Sequence, residues 1–225
     1  MKKTLAGFAT LLITLSAISQ AEVGIFAGPQ ATGTKYLVFN QKQKSEFKYG
    51  FQAGACMKVE FDKNLFFTPA FFYSMKGYKV TFKDFVHPPD TAAKDNNTTI
   101  HTVELAALLQ YDLGKNPGHA FIKAGPSLDF HLFGKEQFNL KNGSSVSRKM
   151  PFGAGSDYGH FSANLLLQFG YETGSGIFFF GQYTHGLAST NNSDGGPRIY
   201  HRAYGISIGK YLNRKKIVID TRNKE

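Results

Sequence analysis

From residue 22 onward the chain alternates. Between Tyr49 and Phe61, one phase holds Tyr49, Phe51, Ala53, Ala55, Met57, Val59 and Phe61; the other holds Gly50, Gln52, Gly54, Cys56, Lys58 and Glu60. Successive side chains of a strand point to opposite faces, so this segment has one apolar face and one polar, glycine-rich face. Phe161–Glu172 reads the same way, as do Val103–Asp112 and Ala120–Leu132. Weaker alternation covers Val23–Ala31, Leu65–Phe82, Ile177–Leu187 and Ile199–Leu212. Eight strands result, most of them as long as the ~9–11 residues that a tilted strand needs to cross a bilayer. No segment carries a helical period.

The connections run 33–48, 62–64, 83–98, 114–118, 134–156, 173–176 and 188–198, alternately long and short. The short ones hold turn chemistry, as in Asp62-Lys63-Asn64 and Thr173-Gly174-Ser175-Gly176. The long ones are polar, with Pro88-Pro89, Asn96-Asn97 and Gly143-Ser144-Ser145. This pattern predicts an all-β fold: an eight-stranded antiparallel up-and-down transmembrane β-barrel with short periplasmic turns and long extracellular loops. A closed barrel suits hydrocarbon because it leaves no unpaired backbone edge.

Alternation alone also fits a soluble barrel with an apolar cavity. Two features favour the membrane. Gly50, Gly54, Gly125, Gly170, Gly205 and Gly209 all fall on the polar phase, where small residues suit a crowded interior. The apolar phase is bulky along whole strands and would overpack a narrow bore. Trp is absent, so Tyr49, Phe61, Tyr111, Tyr171 and Tyr204, near strand ends, are the expected interfacial aromatics.

The N-terminus changes the picture from shape to address. Lys2 and Lys3 precede an apolar stretch from Leu5 to Ile18, and Ser19-Gln20-Ala21 places small residues at the −3 and −1 positions. This is a Sec signal peptide over 1–21, cleaved after Ala21. The expected divisions are therefore 1–21 signal peptide, 22–212 outer-membrane barrel and 213–225 a short basic tail. The whole chain carries 26 Lys+Arg against 16 Asp+Glu, a formal +10 that becomes +8 once Lys2 and Lys3 are removed. Outside the cytoplasm such a balance points to anionic lipid surfaces and away from nucleic acid. A single cysteine excludes a disulfide framework.

Several segments then resemble a family. Pro69–Gly77 (PAFFYSMKG), Val103–Tyr111 (VELAALLQY), Ala124–Leu128 (AGPSL), Phe169–Glu172 (FGYE) and Gln182–Leu187 (QYTHGL) resemble, in order and spacing, strands of the PorT-like outer-membrane β-barrel proteins. Ala70 and Ala106 depart from the family pattern. The resemblance implies an eight-stranded outer-membrane barrel, and for a few members a link to protein secretion.

Candidate chemistry is sparse. Lys58, Glu60, Lys76, Glu104, Asp112, Lys123, Asp129 and Glu172 fall on the polar phase and read as a lumen network of ion pairs and hydrogen bonds. His131, His160 and His201 point inward at the outer rim, where imidazoles could serve as ligands, but no metal-ligand spacing exists and no metal or cofactor is expected. His160-Phe161-Ser162 with Glu172 loosely resembles a lipid A deacylase motif. Ser162 and Glu172 lie about 33 Å apart along a strand, which argues against it. Basic residues gather in the long loops (Lys42, Lys44, Lys135, Arg148, Lys149), at the level of lipopolysaccharide phosphates. The reading is a non-enzymatic outer-membrane barrel, structural or presenting its loops to a ligand or partner. The alternative is a component of an envelope secretion or assembly apparatus. Its partners are outer-membrane lipid and lipopolysaccharide, with a secretion or envelope protein under the alternative.

Overall fold

A computed structural model describes residues 21–83 and 92–214. Among the described residues, ten strands make one antiparallel sheet: β1 (Glu22–Val38), β2 (Gln41–Lys42), β3 (Lys44–Asp62), β4 (Leu65–Thr81), β5 (Ala93–Asp112), β6 (His119–Leu140), β7 (Ser145–Lys149), β8 (Phe161–Glu172), β9 (Ile177–Gly186) and β10 (Arg198–Tyr211). The pairing order is β10-β9-β8-β6-β5-β4-β3-β1, and β1 pairs with β10, so the sheet closes on itself. β2 folds back on β1, and β7 on β6. Residues 1–20, with nearly all of the expected signal peptide, lie outside the described residues, as do 215–225 of the expected tail.

Ten strands replace the predicted eight, and the eight-stranded plan is corrected accordingly. Both additional strands fall inside segments read as loops, 33–48 and 134–156. Strands read as ending near Ala31, beginning at Val103 or ending at Leu132 also run on: β1 reaches Val38, β5 starts at Ala93 and β6 reaches Leu140. The reason is physical. Apolar–polar alternation requires one face in lipid, and these extensions carry polar residues outside. On β5, Asp95, Asn97 and Thr99 alternate with buried Asn96 and Thr98, so the hydropathy signal vanishes although the ladder continues. The β1–β2 turn was hidden for another reason: Phe39 and Asn40 both hold positive φ, 45° and 67°, where a tight hairpin normally advertises itself with Asn-Gly.

Outward positions through the middle of the wall are large and apolar. Phe71, Leu105, Leu109, Leu165, Leu167, Phe169, Ile206 and Ile208 are all exposed, while Lys76, Glu104, Asp129 and Glu172 are fully buried. A water-soluble protein has the reverse arrangement. This wall faces lipid. A belt of rings marks its upper edge: Phe51, Tyr73, His101 and Phe133 follow one another across β3 to β6, with centroids 5.3, 6.0 and 4.3 Å apart. Tyr73 and the His101 Nδ1 atom are hydrogen-bonded at 2.5 Å. On the opposite side Phe47, Tyr204 and Tyr183 continue the belt. Tyr49 and Tyr204 are exposed near this edge, and Phe61, Tyr111 and Tyr171 near the short-turn edge.

Above the belt the polarity inverts. Tyr36, Val38, Tyr78, Val80, Ile100, Phe138, Met150, Tyr158 and Ile199 form a buried apolar cluster inside, while the outer face carries Lys79, Asp95, Asn97, Lys135 and Gln137. About eight residues of β5, roughly 26 Å of strand, rise beyond the bilayer in this way. A bulge in β3 between Phe47 and Gln52 interrupts its ladder with β4. Side chains of β1 fill the gap from inside: Gln30 donates to Met75 O at 3.0 Å, and Thr32 both donates to Gly77 O and accepts from Gly77 N.

Candidate functional site

The bore is filled in layers. At the short-turn end, Lys58 Nζ donates to Asp112 Oδ2 at 2.8 Å and to Glu172 Oε2 at 3.1 Å. Arg214 reaches Glu172 Oε1 at 2.6 Å from beyond the last strand, and His119 Nε2 lies 2.9 Å from Asp112. Lys58, Asp112, His119 and Arg214 border a cavity of about 430 Å³ at this end, which Glu22 and Glu60 also line. Asn213 ties the chain ends together, accepting from Val23 N and donating to Ala21 O, both at 2.7 Å.

Above lies an apolar layer of Phe26, Phe72, Leu108, Phe121, Leu166, Phe178 and Phe180. Phe26 packs edge-on against Phe72 and Phe180 at 5.5 and 5.4 Å. Glycine makes room for it: a Cβ on Gly54 would lie 2.2 Å from Phe72 Cβ and 2.3 Å from Phe71 O.

The third layer is ionic. Lys76 Nζ sits 2.9 Å from Glu104 Oε2 and 2.7 Å from both oxygens of Asp129. Ser127 donates to Glu104 at 2.5 Å, and Asn164 to Asp129 at 3.0 Å. One ammonium thus faces two carboxylates in a space without solvent, and neutral donors support the excess negative charge. Around it Gln52, Gln168, Gln182 and Ser207 are joined by side-chain hydrogen bonds.

Seven of the eight residues read as the lumen network are therefore buried, six of them in two separate clusters. Lys76, Glu104 and Asp129 form one; Lys58, Asp112 and Glu172 form the other. Lys123 joins neither as an ion pair and lies over the rings of Phe121 and Phe178, 4.8 and 5.6 Å from their centroids. Glu60 is exposed at the short-turn mouth of the bore, because β3 ends two residues later. Sequence reading misses Arg214, His119, Ser127 and Asn164. Nothing in the alternation distinguishes the last two from other polar-phase residues, and Arg214 lies past the final strand.

Among the rim histidines, His131 and His201 come together, 6.4 Å between ring centroids and both fully enclosed. His131 Nδ1 is 2.8 Å from Gly159 O. His160 stands apart, stacked on Phe130 at 5.5 Å. Among the described residues, no group of three His, Cys, Asp or Glu side chains is placed to hold a metal ion. The deacylase-like triad does not assemble either. Ser162 is turned to Asp129 at 3.5 Å, and Glu172 belongs to the far ionic cluster.

Over the bore, the β6–β7 hairpin and the segment after it close the long-loop end. Arg148 Nε donates to Glu136 Oε2 at 2.8 Å and its Nη1 to Asp157 Oδ2 at 2.9 Å, while the Tyr158 hydroxyl donates to Glu136 Oε1. Burial, with Tyr78 and Glu136 nearby, pushes the Tyr158 phenol well above its ordinary range. Burial works against the Arg148 charge, but Glu136 together with Tyr158 and Asp157 outweighs it and raises the guanidinium.

The family model described as "outer membrane protein beta-barrel domain" matches residues 14–192. A search of curated protein sequences finds no match. Solved structures similar to the chain include Ail, the attachment invasion locus protein of Yersinia pestis, with 11% identity, 86% of this chain and 99% of that chain covered, and a TM-score of 0.45. Neisserial surface protein A gives 11%, 85%, 99% and 0.44, and OprG from Pseudomonas aeruginosa 13%, 87%, 98% and 0.44. The resemblance to PorT-like proteins is corrected: the matched family is the broader barrel domain, and the sheet has ten strands. Lipid-facing alternation and the short motifs built on it recur among such barrels, which is why the segments misled. The chain belongs to the outer membrane protein β-barrel domain family and is a barrel of the outer membrane.

Proposed function

We propose that this barrel is an anchored platform that presents its extracellular sheet and loops to a partner, with its outer face among lipopolysaccharide headgroups. The observation that carries this reading is the inversion of polarity at the aromatic belt. Strands β4, β5 and β6 have 17, 20 and 22 residues, where a crossing takes ~9–11. Their upper parts enclose an apolar cluster of their own, so the projection has the packing of a folded domain instead of that of loose loops. A protein that only sealed or spanned the membrane has no need of it. The filled bore supports the same reading, since two apolar layers and an ionic one occupy the path a solute would take. We place the mature start at Glu22, where β1 begins.

Cysteine labelling on intact cells tests this directly. Ser144→Cys, in the β6–β7 turn, should react with a membrane-impermeant maleimide, and Ser175→Cys, in the β8–β9 turn, should react only after the outer membrane is breached. Labelling of Ser175→Cys on intact cells with protection of Ser144→Cys would invert the barrel and end the proposal. Replacing residues 139–148 by a short turn should leave the barrel folded and remove partner binding at the cell surface. A secretion role would instead show as cargo held in the periplasm in cells lacking the protein.

A further inference from the structure

The outer face just above the aromatic belt carries a row of cations that no acidic side chain among the described residues neutralises. Lys135 on β6 and Lys149 on β7 are register partners, directly opposite on the same exposed face. Like charges opposed across a strand pair repel, so this placement is unfavourable unless an anion lies between them. Neither lysine has a hydrogen-bond or ion-pair partner among the described residues. Thr99 of β5 is the register partner of Lys135 on its other side. A third ammonium arrives there from β3: Lys48 Nζ donates to Thr99 Oγ1 at 2.5 Å and Asn97 Oδ1 at 2.8 Å, both uncharged acceptors. It reaches them by crossing Gly77, where a Cβ would lie 2.9 Å from Lys48 Cδ. The outward acid on this stretch of β5, Asp95, is four residues further up and accepts from Asn139 at 2.8 Å.

Directly below this row lies the belt pair His101 and Phe133, register partners stacked at 4.3 Å. The bulge between His101 and Thr102 turns both Leu132 and Phe133 outward, so apolar surface continues from the cations down into the lipid-facing wall. A groove of about 600 Å³ joins the two levels, lined by His101, Phe133, Lys135, Ser147, Arg148 and Lys149.

We propose that this groove binds a phosphorylated glycolipid of the outer leaflet, with phosphate between Lys135 and Lys149 and acyl chains against Phe133 and Leu132. The proposal deepens the lipopolysaccharide contact above from a general neighbourhood to one site. Charge complementarity selects an anion, and the adjoining apolar wall selects one that carries hydrocarbon.

The test is native mass spectrometry of the full barrel in micelles, titrated with lipid A bearing both phosphates, with the same lipid after phosphatase treatment, and with inorganic phosphate. The phosphorylated lipid should be retained, the dephosphorylated lipid should bind at least tenfold more weakly, and inorganic phosphate should not compete. Lys135→Ala with Lys149→Ala should weaken retention by about 30-fold, roughly fivefold per lysine near an anionic surface. Lys135→Arg with Lys149→Arg should keep it. Heat-dependent migration in gels, measured without lipid, reports separately that each variant is a folded barrel. Equal retention by the folded alanine variant, equal binding of the dephosphorylated lipid, or full competition by inorganic phosphate would each overturn the site while leaving the outer-membrane assignment intact.

Discussion

Removing the Lys76 ammonium tests the layered bore most severely. Lys76→Met keeps the length and most of the volume of the side chain but leaves Glu104 and Asp129 facing each other without the cation that stood 2.7–2.9 Å from both. Both carboxylates are fully enclosed, and breaking a buried pair by deleting one partner costs about 3–5 kcal/mol. An independent route gives the same size. A carboxyl group with an ordinary value near 4 that must take up a proton at pH 7 costs about 4 kcal/mol. Ser127 and Asn164 still donate to one carboxylate each, which keeps the cost from doubling. Urea unfolding in lipid vesicles should therefore show a loss of about 4 kcal/mol at neutral pH that shrinks as the pH is lowered toward 4, where protonation becomes free. The triple variant Lys76→Met, Glu104→Gln, Asp129→Asn should recover most of the loss, because an uncharged set no longer needs the cation. A loss below about 1 kcal/mol for Lys76→Met, independent of pH, would show that water reaches this layer and that the bore is not closed there.

Three further outcomes follow from the same structure. Leu167→Arg, at the middle of the lipid-facing wall, should cost about 2–4 kcal/mol by the same unfolding assay, and Tyr171→Arg near the periplasmic edge about 0–1 kcal/mol; equal costs would deny that this face spans the bilayer. Gly54→Leu should prevent formation of the heat-modifiable barrel, since even its Cβ would fall 2.2–2.4 Å from the Phe71–Phe72 backbone and Phe72 Cβ. Tyr158 bears on pH. Its folded phenol holds its proton above the ordinary value near 10, so the stability it gives the projection is complete below about pH 10 and is lost as pH rises past it. Tyr158→Phe should then leave unchanged the tyrosinate absorbance gained by the folded protein between about pH 9 and about 11, and a smaller gain would show the phenol to be accessible.

How far the chain could be read depended on what touched lipid. Strand β8 was legible end to end, because Phe161, Ala163, Leu165, Leu167, Phe169 and Tyr171 all face the membrane and Ser162 to Glu172 the bore. The upper third of β5 was not, because Asp95, Asn97 and Thr99 face water and their inward neighbours Asn96 and Thr98 are equally polar. Register is equally silent in hydropathy. Assigning Lys58, Asp112 and Glu172 to one cluster and Lys76, Glu104 and Asp129 to another required knowing which residues oppose each other across strands. Glu60 shares a phase with Lys58, yet its place two residues from the strand end leaves it exposed at the mouth of the bore. Parity assigns a face, whereas depth along the barrel decides company.

That difference between face and depth also explains why the ionic layer stands where it does. A buried charge is tolerable only where its partners are held rigidly, and a barrel wall is stiffest away from its ends, where every strand has hydrogen-bonded neighbours on both sides. Lys76, Glu104 and Asp129 come from three adjacent strands and lie between the phenylalanine layer below and the Tyr78–Ile100 cluster above. Each apolar layer excludes water from the ions, and the ions in turn tie together β4, β5 and β6, three strands whose upper parts project beyond the membrane. Stiffness set at that level should pass along those ladders into the upper sheet, so the charges inside the membrane and the surface outside it should respond as one mechanical unit. Loosening the first, as in Lys76→Met, should raise hydrogen exchange in residues 93–100 and 134–140 before the lipid-facing segments of the same strands respond.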